Sequence, residues 1–257
     1  MSLNIGITTR YSRDEENVGK CFYIDNIAVS LSEKYGFNLV PVIPGSSFND
    51  IDGLIVPNIP YAISEFYYAD NLQIPIPAFN DYEIDMYAIN EACAKKIPVL
   101  GICNGILSIN VFMNGTLKLK TGRREKMAHS ISINKSVLTE SPIEDMTYLM
   151  DLNKPVRVHS ELLQNIGNLG VGLKPLCMSR NNEIEGIISE NTDILGVSWN
   201  IGDVLLSNSA SPRVASISYL LLSYFLFRSS LYSGKTSYIT ENPFLILHSP
   251  ASPSDQQ

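Results

Sequence analysis

Apolar runs of strand length alternate with segments of helical spacing in this chain, and that alternation restricts its fold more than any other feature. Asn4 to Thr9 (NIGITT) is a short β-like run at the start. Cys21 to Lys34 has helical spacing, Gly36 halts it, and FNLVPVIP follows as a second strand. After SSFND comes IDGLIVP, a third run of strand length. Asp81 to Lys96 has acids in its first turns and two lysines at its end, which complements a helix dipole at both termini. It leads directly into IPVLGIC, apolar enough for a strand buried on both faces. Such alternation predicts a doubly wound, mostly parallel α/β sheet flanked by helices.

The middle of the chain changes character. Between Met127 and Val171 the runs shorten to pieces such as HSISINKSVL and PVRVHSELLQ, which read as small strands and turns. Ile184 to Ile188 and Asp193 to Trp199 restore the strand pattern, and Arg213 to Phe227 reads as the last helix. From Ser233 onward the chain is polar and Pro/Ser-rich, ending SPASPSDQQ. The expected organisation is one domain over residues 1–232 and a flexible C-terminal tail over 233–257. A length of 257 residues is enough for one large domain with a substantial core.

Composition removes several classes. With 45% hydrophobic residues and a net charge of −7, disorder of the whole chain is excluded. There are 19 basic against 26 acidic residues and no basic stripe, so no nucleic-acid partner is expected. Cys21, Cys93, Cys103 and Cys177 lack CxxC spacing, which argues against a disulfide scaffold and a zinc site. GxGxxG and phosphate-loop patterns are absent, so no cofactor is implied. The N-terminus MSLNIGITTR has no secretory pattern, giving a cytoplasmic expectation. VASISYLLLSYFLF, from Val214 to Phe227, is too short to span a bilayer comfortably and contains serines. A buried helix is the expectation there, with no membrane span and with interfacial membrane contact as the lesser alternative.

Chemistry concentrates at PVLGICNGIL. Cys103 lies between Gly101 and Gly105, at the end of a buried strand and before an apolar segment able to start a helix. This is a nucleophile-elbow arrangement with cysteine in the place of serine. The two glycines remove side chains that would clash in a tight strand-to-helix turn. The following helix would point its N-terminus at the sulfur and favour the thiolate. The backbone N–H of Asn104 would then donate to an oxyanion. A small core cysteine is the plain alternative for such a position.

The stretch PVLGICNGILSINVFMNGTL resembles the class I glutamine amidotransferases, in particular the branch of gamma-glutamyl hydrolase and the gamma-glutamyl-aminobutyrate hydrolases. Asn110, Val111, Gly115, Thr116 and Leu117 fall in register with that branch's pattern. IGITTR, DGLIVP, Asp81-Tyr82-Glu83, His129 before ISINKSVL, VHSELLQ, IEGI at 184–187 and GVSW at 196–199 follow in the same order. The resemblance covers most of residues 3–200 and implies the flavodoxin-like amidotransferase fold, with Cys103 as nucleophile and no cofactor.

Departures from the pattern bear on activity. In active members a G-V-Q-W-H-P-E segment supplies the His that takes the thiol proton and the Glu that orients it. Here the segment reads GVSWNIGD, with Asn200 at the His position, Ile201 at the Pro and Gly202 at the Glu. An amide is no proton acceptor near neutral pH. The glycine loop that donates an oxyanion N–H reads Pro57-Asn58-Ile59-Pro60, and the elbow's Arg and Gln are Asn104 and Leu107. The V-N-S-x-H-x-Q segment reads Val158-His159-Ser160-Glu161-Leu162-Leu163-Gln164, which loses one His and places another at the Asn position. The resemblance implies that Asn104, Asn58, Ser160 and Gln164 line the oxyanion or substrate side.

Two readings stand beside each other. One is a degenerate relative that keeps the fold as a binding or regulatory module for a small γ-glutamyl or amide-containing ligand, or for a protein partner, a homodimer included. The other is a divergent Cys hydrolase with His159 as substitute base. A reactive thiol at Cys103 for oxidant or aldehyde chemistry is a third, weaker one. His129 is expected to be structural, and His248 falls in the expected tail.

Overall fold

The computed structural model describes residues 2–12, 21–58, 63, 81–119, 128–134, 136–137, 154–160, 162–189, 193–207 and 209–241. Five strands form the parallel half of one sheet: β1 (Asn4–Thr8), β4 (Asn38–Val42), β5 (Gly53–Val56), β6 (Val99–Ile102) and β13 (Ile194–Val197), in the order β4-β1-β5-β6-β13. β5, β6 and β13 are buried at every position, which is why they read as continuous apolar runs. β4 tolerates Pro41 because it is an edge strand, where a missing ladder donor costs little.

Beyond β13 the sheet continues antiparallel through β12 (Ile184–Ser189), β11 (Lys174–Ser179), β8 (Ala128–Ile133) and the edge strand β9 (Val156–His159). The shorter runs of the middle segment thus build an extension of the main sheet. Two small ladders sit apart: β2 (Arg10–Ser12) with β3 (Cys21–Tyr23), and β7 (Leu117–Leu119) with β10 (Gln164–Ile166).

α1 (Asn26–Tyr35), α4 (Ile201–Leu206) and α5 (Pro212–Ser233) pack in a chain, α1 reaching β4 and α5 reaching β5 and β9. α2 (Asp81–Lys95) and α3 (Gly105–Phe112) pack together on β1, β5, β6 and β13. By length and composition α5 is a described helix able to cross a membrane, but 67% of its most apolar window is buried inside the molecule. Its Trp199 neighbour donates to Ser218 at 3.0 Å, and Phe225 and Ser229 press on Gly53. It is a core helix.

Three expectations shift. Helix α1 begins at Asn26, because Asp25 caps it by accepting from Ile27 N at 2.9 Å, while Cys21–Tyr23 pairs as a strand. The last long helix runs on past Phe227 to Ser233 and ends at Gly234 in the left-handed region, φ 68°. Within the stretch expected to be tail from 233, residues 237–241 form the docked helix α6 (Ser237–Glu241). Tyr238 Oη donates to Tyr35 O at 2.6 Å, and Lys235 Nζ pairs with Asp52 at 2.6 Å. Residues 242–257 lie outside the described residues.

Candidate active site

Cys103 follows the last residue of β6 and adopts φ 54°, a conformation that crowds a β-carbon and costs of order 1–3 kcal/mol. The surrounding packing enforces it. A Cβ on Gly101 would lie 2.6 Å from Ile109 Cδ1, and one on Gly105 would drive into the carbonyl oxygen of Val56. The turn is therefore tight on both sides of the cysteine, as the glycine spacing predicts. Cys103 is a thiol, 8% exposed, at the start of α3 and at the carboxyl end of the parallel strands. Ligands of doubly wound sheets bind at that end.

Beside the elbow lies the loop after β5, and a buried network fixes it. Arg10 Nη2 donates to Pro57 O at 2.6 Å and its Nε to Asn58 O at 2.9 Å. Arg10 Nη1 pairs with Asp85 Oδ1 at 2.8 Å, with both side chains buried. Asp85 also accepts from Thr8 Oγ1 at 2.6 Å and from Ser108 Oγ at 2.8 Å. One carboxylate on α2 thus joins β1, the β5 loop and the elbow helix α3. Composition and motif reading passed over this group. Its signal was an acid at a core position, since Asp85 shares a helical face with Ala88 and Ala92. Ile59 and Pro60 lie outside the described residues.

Asn200 stands where the resemblance implies a catalytic His. It follows β13, the strand next to β6, and its side chain caps α4. Asn200 Oδ1 accepts from Gly202 N at 3.0 Å and Asp203 N at 3.3 Å, so the amide is engaged in the helix start. Gly202, at the family's Glu position, has no room for a side chain, because a Cβ there would run into Ile27 Cγ2 of α1, with Leu31 Cδ1 3.2 Å away. Position 200 thus caps a helix, and position 202 is closed by packing against α1.

His159 is brought no closer to the thiol by the sheet. It ends the edge strand β9, exposed and paired opposite Ala128. Four strands intervene between β9 and β6, which is about 24 Å measured along the sheet at roughly 4.8 Å per strand step. Ser160 is buried, and its Oγ has no hydrogen-bond partner among the described residues. Gln164 is occupied by backbone: its Nε2 donates to Ile63 O at 2.7 Å and its Oε1 accepts from Ile63 N at 2.8 Å. Asn104 precedes α3 without a side-chain capping bond, and Asn58 is exposed.

A second buried polar group sits on the antiparallel side. Glu185 takes a short hydrogen bond from Ser198 Oγ, and His129 Nε2 lies 3.0 Å from its other oxygen. Burial, and then Glu185, push the Cys177 thiol well above its ordinary value, so that sulfur is inert. His129 ties β8 to β12, in keeping with a structural role. Among the described residues no cluster of three His, Cys, Asp or Glu could hold a metal ion.

Comparison with known proteins agrees with this fold. Residues 46–200 match the family model described as Peptidase C26. The chain is 27% identical over 165 residues to a candidate glutamine amidotransferase of Schizosaccharomyces pombe, covering 60% of each. It is 39% identical over 71 residues to a candidate glutamine amidotransferase-like protein of Rickettsia prowazekii, covering 26% of this chain and 25% of the other. The chain therefore spans less than two thirds of the length of these relatives. Among solved structures, a candidate GMP synthase subunit from Thermoplasma acidophilum superposes with a TM-score of 0.60 at 13% identity, over 92% of this chain and 98% of the other. PurLQS from Thermotoga maritima gives 0.61 at 12%, over 88% and 98%. These likenesses fix the fold. Together with the matched segment they make the chain a member of the peptidase C26 family, built on the class I glutamine amidotransferase fold.

Proposed function

We propose that the chain binds a γ-glutamyl or related amide ligand at the Cys103 elbow and works as a binding or regulatory module, without efficient hydrolysis. The observation that carries this reading is the pair Asn200 and Gly202: one amide caps α4, and the other position is filled by Ile27. Amide hydrolysis by a thiol needs a group that takes the proton and returns it to the leaving nitrogen, typically worth about 10²–10⁴-fold. No such group stands beside β6 at position 200. A protein partner suits the reading too, since one structural neighbour is described as part of a synthase.

The test is turnover of γ-glutamyl-p-nitroanilide alongside calorimetric binding of glutamine. Binding with turnover no faster than that of Cys103→Ser is expected. Joint replacement of Asn200→His and Gly202→Glu should leave turnover at that floor, and adding Ile27→Ala should raise it by opening the space. Wild-type turnover well above Cys103→Ser would overturn the reading.

A further inference from the structure

We propose that Glu185, acting through Ser198, holds the Cys103 sulfur as a neutral S–H and so keeps the elbow from attacking the ligand it faces. The inference rests on the reading of Cys103 as the centre of the ligand site, and it names what keeps that sulfur quiet. β13 runs parallel beside β6, with Val197 opposite Ile102 as the last pair. Ser198 and Cys103 are the next residues on the two strands, one strand step or about 4.8 Å apart. A Cβ on Gly196 would meet Ile106 of α3 and Ile187, each at 3.1 Å, so that face of β13 and β12 looks toward α3. Ser198 and Glu185 lie two residues from Gly196 and Ile187 and share that face. Across β13 from β6, Ser198 N donates to Glu185 O at 2.9 Å, and Ser198 Oγ donates to Glu185 Oε2. Both residues are 1% exposed.

A hydroxyl carries one proton. Ser198 gives its proton to Glu185, so toward the neighbouring strand its oxygen offers lone pairs alone. A thiol can donate to such an oxygen. A thiolate would set lone pair against lone pair, with a buried carboxylate behind the hydroxyl. The same carboxylate already acts this way on a second sulfur, since Glu185, after burial, pushes the Cys177 thiol up.

Other charges near the pair weigh less. His129 Nε2 lies 3.0 Å from Glu185 Oε1, and its imidazole offsets the carboxylate only when protonated, toward acid pH. Asp85 of α2 reaches the elbow helix through Ser108 at 2.8 Å, but Arg10 neutralises it at 2.8 Å. The N-terminus of α3 favours a thiolate with about half a charge, against the full charge of Glu185. Glu185 is thus a positioning residue: it touches no ligand and acts by fixing which way the Ser198 hydroxyl points.

The experiment follows iodoacetamide alkylation of Cys103 in the full chain between about pH 6 and 10, with peptide mass mapping to separate it from the other cysteines. The wild-type rate should rise with a midpoint above about 8.5, the ordinary thiol value. Glu185→Gln keeps the shape and removes the charge, and its midpoint should fall by about one pH unit. Alkylation at pH 7 should then be about three- to tenfold faster, because lower nucleophilicity offsets part of the gain in thiolate. Ser198→Ala keeps the carboxylate and deletes the hydroxyl, so its midpoint should fall as well, even where Glu185→Gln does not fold. Loosened packing would instead raise the rate at every pH and expose Cys177. A higher rate with an unmoved midpoint in both variants, or a wild-type midpoint below about 8.5, overturns the proposal. Calorimetric titration with glutamine on the same samples keeps the two readings apart. Midpoints that move as expected in a chain that binds no glutamine support the proposal and count against the ligand reading alone.

Discussion

Cys103 holds φ 54° because its neighbours leave no other path, and the two flanking glycines carry that constraint. Gly105→Ala should destabilise the chain by about 3 kcal/mol, since the added carbon meets backbone oxygen that has nowhere to move. Urea unfolding followed by circular dichroism measures it. The buried Asp85 gives a graded series. Asp85→Ala strands Arg10 as an uncompensated charge and should cost about 3–5 kcal/mol. Thr8→Ala removes one of several bonds to the same carboxylate and should cost about 1 kcal/mol. Equal losses in the two variants, read from the same unfolding curves, would show that charge pairing contributes nothing special there.

At the scale of elements, strand and helix order was legible because buried parallel strands and capped helices leave local marks. IPVLGIC became β6, DGLIVP became β5, and Gly36 ended α1 as its left-handed cap, φ 73°. Long-range choices were not legible. Nothing local in Cys21–Tyr23 announces a pairing with Arg10–Ser12, and nothing in Tyr238 announces its bond to Tyr35, 203 residues away in sequence. The site divides the same way. Cys103 and its glycines could be read from spacing, whereas the occupation of Gln164 by Ile63 and of position 202 by Ile27 depends on packing between distant segments. Helix α5 offers an element-level test. Phe225 is 2% exposed against Gly53, and Phe225→Ala should cost about 3–5 kcal/mol by thermal or urea unfolding. A loss under about 1 kcal/mol would argue that α5 is a surface helix.

For the molecule as a whole, stability should fall at alkaline pH. Burial, with Tyr219 adding to it, pushes Tyr35 up to about 12, and burial, partly offset by Arg228 and slightly reinforced by Asp193, does the same to Tyr224. The folded chain keeps these protons where the unfolded chain, with ordinary values near 10, gives them up. Stability is thus intact below pH 10 and declines between about 10 and 12. Melting temperatures across that range, with Tyr35→Phe flattening the decline, check the sign. Cys177, fully buried, reports global opening: its labelling rate should follow denaturant in step with unfolding, well behind that of Cys103. The closed space at Gly202 also couples two distant positions under substitution. A carboxylate placed there alone collides with Ile27, and a smaller residue at Ile27 alone gives up packing with no gain. Each single exchange is therefore unfavourable. The packing between α1 and α4 acts as a ratchet, so that positions 27 and 202 are free to change only together.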